Sequence, residues 1–175
     1  MTAIIHTEEN RQRESLATLS KTLYERGLAT GSSGNVSVRL EDGWLMTPTN
    51  SCLGTLDPAK ISKLSWSGGH LAGGPPSKEA FLHSAIYETR TQAGAVVHTH
   101  STYTAAVSCL SGLDPANCLP PLTPYFVMKI GRLALIRYYR PGDKALGDAV
   151  RALNGKYSAV LLSNHGPVVS AKNLE

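Results

Sequence analysis

Two rhythms of apolar residues run through the chain, and together they predict interleaved helices and strands. Leu16, Leu19 and Leu23 recur at helical spacing behind Thr7, a capping residue followed by Glu8 and Glu9, so a helix is expected from there to about Gly27. Asn35 to Leu40 and Trp44 to Thr47 flank Glu41-Asp42-Gly43 and read as a hairpin; Gly68-Gly69 and Gly73-Gly74 punctuate a second. Asp57-Pro58 opens a short helical turn, and Pro75-Pro76-Ser77 introduces a helix through about Glu88 whose apolar face is Phe81, Leu82, Ala85 and Ile86. Ala95-Val96-Val97 is a buried-strand signal, followed by a helix over Ala105 to Leu110 and a proline-rich loop with Pro120, Pro121 and Pro124. Leu133 to Ile136 reads as a strand, Asp143 to Leu153 as a helix, and Ala159 to Leu162 as the last strand, ending in the turn Ser163 to Pro167. The pattern predicts a layered α/β or α+β domain in which the hairpins make the sheet mixed or antiparallel.

At 175 residues and 42% hydrophobic content, the chain suits one domain, residues 1–175, with a single core. No apolar stretch approaches the roughly 20 residues that span a bilayer, and no signal-peptide pattern opens the sequence, so a cytoplasmic location is the default expectation. Cys52, Cys109 and Cys118 are odd in number and lack Cys-x-x-Cys spacing, which argues for free thiols. The net charge of +4 is modest; the basic residues from Lys129 through Arg132, Arg137 and Arg140 to Lys144 read as a solvated face or a small-anion site, not a nucleic-acid stripe.

Candidate chemistry concentrates in the histidines. An extended backbone sends residues i and i+2 to one face, so His98 and His100, at the end of a Val-rich strand, aim two imidazoles at one point. In a helix they would diverge by roughly 200°. Catalytic zinc sites take three protein ligands and leave one position open; His165, beyond the second buried-strand signal, is the best third ligand. Glu79 opens the Ser77 helix, where the dipole favours a carboxylate, yet it also suits the movable base that enolate chemistry needs. His83, one turn on, reads as core or as support for the site; His6 and His70 read as terminus and loop residues. Gly31 to Asn35, Thr47 to Ser51 and Ser77-Lys78 are each ordinary turns or caps taken singly, and a phosphate pocket if they converge.

In order, the segments GSSGNVS (from Gly31), TPT (Thr47), PSKE (Pro76), AVVHTH (Ala95) and NHGP (Asn164) closely resemble the class II aldolase/adducin family over nearly the whole chain. The resemblance implies a three-layer α/β/α fold with a mixed, mostly antiparallel sheet, and a zinc or similar divalent ion on His98, His100 and His165. It implies Glu79 as acid/base and occasional ligand, and phosphate contacts from Ser32, Asn35, Thr49, Asn50, Ser77 and Lys78. Within the family the chain is most similar to 3-oxo-tetronate 4-phosphate decarboxylases, through TPTNSCLGTLDPAKISK, SCLSGLD, TPYFVMKIG, YYRPGDKALG and NHGPVVS. Tyr125 falls where the family's aldolases place a catalytic tyrosine from a neighbouring subunit, implying a homotetramer. Relatives continue with helical sequence beyond the segment matching Asn173 to Glu175, so the chain is expected to lack that part. Arg137 or Arg140 is the candidate to orient a substrate carboxylate. The competing readings are a sugar-phosphate aldolase of the same family and a non-catalytic, adducin-like scaffold. A barrel hydrolase would need about 250 residues and a repeated strand–helix pattern.

Overall fold

A computed structural model describes residues 7–175. The first helix, α1 (Glu8–Glu25), starts where expected, with the Thr7 hydroxyl accepting from the Asn10 amide. Two hairpins follow, β1 (Asn35–Arg39) with β2 (Trp44–Met46) and β3 (Ser62–Leu64) with β4 (His70–Ala72), then α2 (Ala80–Thr89) and β5 (Ala95–His98). The remainder is α3 (Thr102–Ser108), α4 (Pro124–Lys129), β6 (Ala134–Ile136), α5 (Ala145–Ala152), β7 (Ala159–Leu162) and β8 (Gly166–Ala171). The strands form one sheet in the order β4-β3-β2-β1-β5-β8-β7-β6. Every neighbouring pair is antiparallel except β6 with β7.

Alternation along the strands splits the core into layers. On one face Trp44, Met46, Val96, Val160 and Val168 meet Leu82, Ala85 and Ile86 of α2 and Leu146 and Val150 of α5. On the other, Val36, Val38 and Leu45 pack against Leu16 of α1, while Leu133, Ala159 and Leu161 pack with Val107 of α3 and Phe126 of α4. The result is the three-layer α/β/α arrangement with a mixed, mostly antiparallel sheet. Among the described residues no helix is long and apolar enough to cross a membrane.

Four local expectations need correction, and His6 lies outside the described residues. The chain after His165 is not only a turn: β8 pairs with both β5 and β7. Pro167 tolerates its place near the end of that ladder because its carbonyl is the group in use, accepting from the Thr99 amide at 3.3 Å. The proline-rich loop contains α4, with Pro124 in the first turn, where a missing N–H costs nothing, and Thr123 capping the Phe126 amide. His70 opens the short strand β4, its ring contacting the Ala72 carbonyl, and is not a loop residue. Helix α2 begins at Ala80, so Glu79 is its capping position and not part of its first turn.

Candidate metal centre

The site forms at one end of three adjacent strands. β1 begins with Asn35, β5 ends with His98, and the connection that carries His165 leads into β8. Asn35 and His98 are directly paired across β1 and β5, which places both side chains on one face. His100 continues two residues further, and Leu162 pairs with Gly166 to close a three-residue connection around His165. Asn164 bends that connection in the left-handed region, φ 56°. Its amide donates to the Ser108 carbonyl at 3.0 Å, and the His165 amide donates to Ser108 Oγ at 3.1 Å, so α3 anchors the third histidine. Glycine is required at 166, because an added Cβ would lie 2.3 Å from the Thr99 carbonyl oxygen, between the two other histidines.

Three imidazole nitrogens converge. The Nε2 atoms of His98, His100 and His165 are separated by 3.0, 3.2 and 2.9 Å. Nitrogens held about 2.0–2.1 Å from zinc at tetrahedral angles would be about 3.3 Å apart, so the triangle fits a small divalent ion with slight expansion. Protonation fits as well: His98 Nδ1 faces the Pro167 carbonyl at 2.9 Å and must donate to it, which leaves a lone pair on Nε2 at the centre of the triangle. Burial holds the His98 ring down to about 4 and also lowers His100, so both rings are neutral near pH 7, the form that binds metal. Three imidazole nitrogens facing one point this closely, with a lone pair fixed on that of His98, form a donor set suited to a shared cation.

The Glu79 carboxylate lies beside this triangle. Oε2 accepts from Asn35 Nδ2 at 2.7 Å and is 3.5 Å from His98 Nε2, while Oε1 is 3.6 Å from His165 Nε2. Burial disfavours its charge, but His98, the Asn35 amide and His165 outweigh burial, and the carboxyl sits below the usual range. The structure therefore joins an ionised carboxylate to the histidine triangle.

Ser32, Thr49, Asn50, Ser77 and Lys78 line a cavity of about 390 Å³ that also reaches Glu79, His100 and His165. The Pro48–Pro76 bridge and the Thr49 amide donating to the Pro75 carbonyl bring the second and third of these segments together. Asn35 also lines the cavity, but its amide is engaged at both ends, donating to Glu79 and accepting from His83 Nε2 at 2.6 Å. It is thus better placed to hold Glu79 than to bind an anion. Pro141 and Gly142 join the lining, which the sequence did not foretell because they follow a strand remote in the chain. Arg140 is their exposed neighbour, and Arg137 donates to the Tyr139 hydroxyl and stacks over its ring. Tyr125 is 76% exposed on α4 and does not line the cavity of its own chain.

The sequence profile of the class II aldolase and adducin N-terminal domain matches residues 14–175. A 3-oxo-tetronate 4-phosphate decarboxylase of Pectobacterium atrosepticum is 48% identical over 169 residues, covering 96% of this chain and 78% of the relative. An L-fuculose phosphate aldolase of Escherichia coli is 32% identical over 170 residues, covering 96% and 76%. The crystal structure of YgbL from Escherichia coli superimposes with a TM-score of 0.94 at 45% identity, over 96% of this chain and 82% of that one. On the strength of the profile match and of these relatives, the chain belongs to the class II aldolase and adducin family.

Proposed function

We propose that this protein is a divalent-metal-dependent carboxy-lyase that converts 3-oxo-tetronate 4-phosphate to dihydroxyacetone phosphate and carbon dioxide, in the catabolism of four-carbon acid sugars. The observation that carries the reading is the histidine triangle with an ionised Glu79 beside it, opening on a cavity rich in hydroxyl and amide groups. The 48% identical decarboxylase gives the substrate class. His98, His100 and His165 would hold the ion, with zinc the leading candidate for a three-histidine set and Glu79 an occasional fourth ligand. When bound, the ion supplies Lewis-acid polarisation of the vicinal C2 and C3 oxygens.

This chain's residues do the rest. Ser32, Thr49, Asn50 and Ser77, with the Lys78 ammonium, bind the C4 phosphate, while Asn35, its amide engaged at both ends, holds Glu79. The C1 carboxylate is then beta to the C3 ketone. The C1–C2 bond breaks, carbon dioxide leaves, and its electron pair delocalises toward the C3 oxygen as an enediolate. Glu79 takes the C2 hydroxyl proton as substrate binds and delivers a proton to C2; the hydroxyl regains its own from water. Tyr125 of a neighbouring subunit is the second candidate donor, in a homotetramer with shared sites. A phosphorylated acid does not cross membranes unaided, which suits a cytoplasmic enzyme. An aldolase would reach a similar enediolate by breaking a different carbon–carbon bond, and the 32% identical fuculose phosphate aldolase keeps that second reading open. Comparing carbon dioxide release from 3-oxo-tetronate 4-phosphate with aldol cleavage of fuculose 1-phosphate by metal-loaded protein separates them: the decarboxylase reading expects the first to dominate, and the reverse would overturn it.

A further inference from the structure

We propose that Tyr87, Ser37 and His83 are positioning residues, a buried hydrogen-bonded chain of fixed direction that locks the Asn35 amide and, through it, aims the Glu79 carboxylate at the histidine triangle. Glu79, His83 and Tyr87 recur every fourth residue, on one face of α2 and its cap. Asn35 and Ser37 recur every second residue, on one face of β1. The two rows interdigitate as a zigzag: Tyr87 Oη to Ser37 Oγ at 2.8 Å, Ser37 Oγ to His83 Nδ1 at 2.6 Å, His83 Nε2 to Asn35 Oδ1 at 2.6 Å, and Asn35 Nδ2 to Glu79 Oε2 at 2.7 Å. Ser37 and His83 are fully buried, and Tyr87 and Asn35 nearly so.

Chemistry fixes the direction at every link. Asn35 presents its NH2 to Glu79 Oε2, which accepts, and so turns its carbonyl oxygen, which can only accept, toward His83. His83 Nε2 must therefore carry the proton. Burial holds this ring neutral, down to about 3, so Nδ1 has only a lone pair and Ser37 must donate to it. The Ser37 hydroxyl has a single proton, so Tyr87 must donate to Ser37 Oγ. Burial pushes the Tyr87 phenol up, and its proton stays in place. Trp44 lies parallel to the His83 ring, 11° off plane, and walls it in. No member has a choice of partner, so the amide that holds Glu79 cannot flip.

The proposal rests on the function above for its kinetic arm and stands apart from it in its spectroscopic one. In metal-loaded protein carrying ¹⁵N-histidine at pH 7, His83 is expected as the neutral Nε2–H tautomer; the Nδ1–H tautomer or an imidazolium would overturn the chain whatever the substrate. In turnover of 3-oxo-tetronate 4-phosphate, His83→Leu is expected to lower kcat about ten- to hundredfold, with KM within about twofold and metal content intact. His83→Gln, whose amide can donate to Asn35 and accept from Ser37, is expected to recover most of the rate. In a Glu79→Gln background His83→Leu should cost nothing more, because both act through one carboxylate. Unchanged kcat in His83→Leu, or an equal loss in both backgrounds, would overturn the positioning role. Should His83→Leu not fold, Ser37→Ala carries the same comparison. A wild type inert toward this substrate would count against the function, and the tautomer would still decide the chain.

Discussion

Glu79 is held by one strong hydrogen bond from Asn35 and lies 3.5 Å from His98 Nε2 and 3.6 Å from His165 Nε2. Glu79→Gln preserves size and the Asn35 contact but removes the proton carrier. The variant is expected to keep its metal, by elemental analysis, and to lose about 10²–10⁴-fold in turnover; wild-type rates would remove Glu79 from the mechanism. His83 also makes a stability prediction. Its folded pKa of about 3 lies below the unfolded value of 6.5, so the unfolded state binds the extra proton between them. Its contribution is fully present above pH 6.5 and is lost as pH falls toward 3. Relative to His83→Gln, wild-type stability in urea should therefore fall by about 1 kcal/mol or slightly more per pH unit from 6.5 to 4. Parallel pH profiles would contradict the buried neutral assignment. At this scale the sequence revealed much: two valines before His98-Thr99-His100 identify a strand, and the alternation supplies a ligand pair. The contact of Asn35 with Glu79 was not legible, because a glycine- and serine-rich turn looks the same whether its asparagine binds an anion or a carboxylate remote in the chain.

Among the elements, β8 decides whether the third histidine reaches the other two. It lies between β5 and β7, and its first residue presses against the Thr99 carbonyl. Gly166→Ala would force the His165 connection away from β5. The expected result is a loss of zinc affinity of at least about tenfold in chelator competition, with a melting temperature lower by about 4–10 °C. A variant with unaltered affinity and melting temperature would show that the 98–100 segment can yield without cost. β8 escaped the sequence reading because Gly166 and Pro167 are turn residues by composition; only the pairing with β5, which depends on residues far away in the chain, makes them a strand. The hairpins and α1, whose signals are local, were legible for the same reason in reverse.

For the whole molecule, the sheet order brings Asn35, His98 and His165 to one end of three neighbouring strands, and a single fold thereby builds most of a site. Tyr125 is the exception, exposed on α4 with Leu122 and Met128 also exposed nearby in the chain, an apolar set that suits contact with a second subunit. If sites are shared as proposed, His165→Ala and Tyr125→Phe enzymes, each impaired alone, should regain activity when co-assembled, since some sites then combine an intact triad with an intact tyrosine. No recovery in assemblies shown to be mixed would place the whole reaction within one chain. The central claim is tested most directly by dihydroxyacetone phosphate release from 3-oxo-tetronate 4-phosphate by metal-loaded protein, with His165→Ala as matched control. The account predicts release, stoichiometric with carbon dioxide, that His165→Ala abolishes. Folded, metal-bound protein that releases none, or a His165→Ala enzyme as active as the wild type, would contradict it.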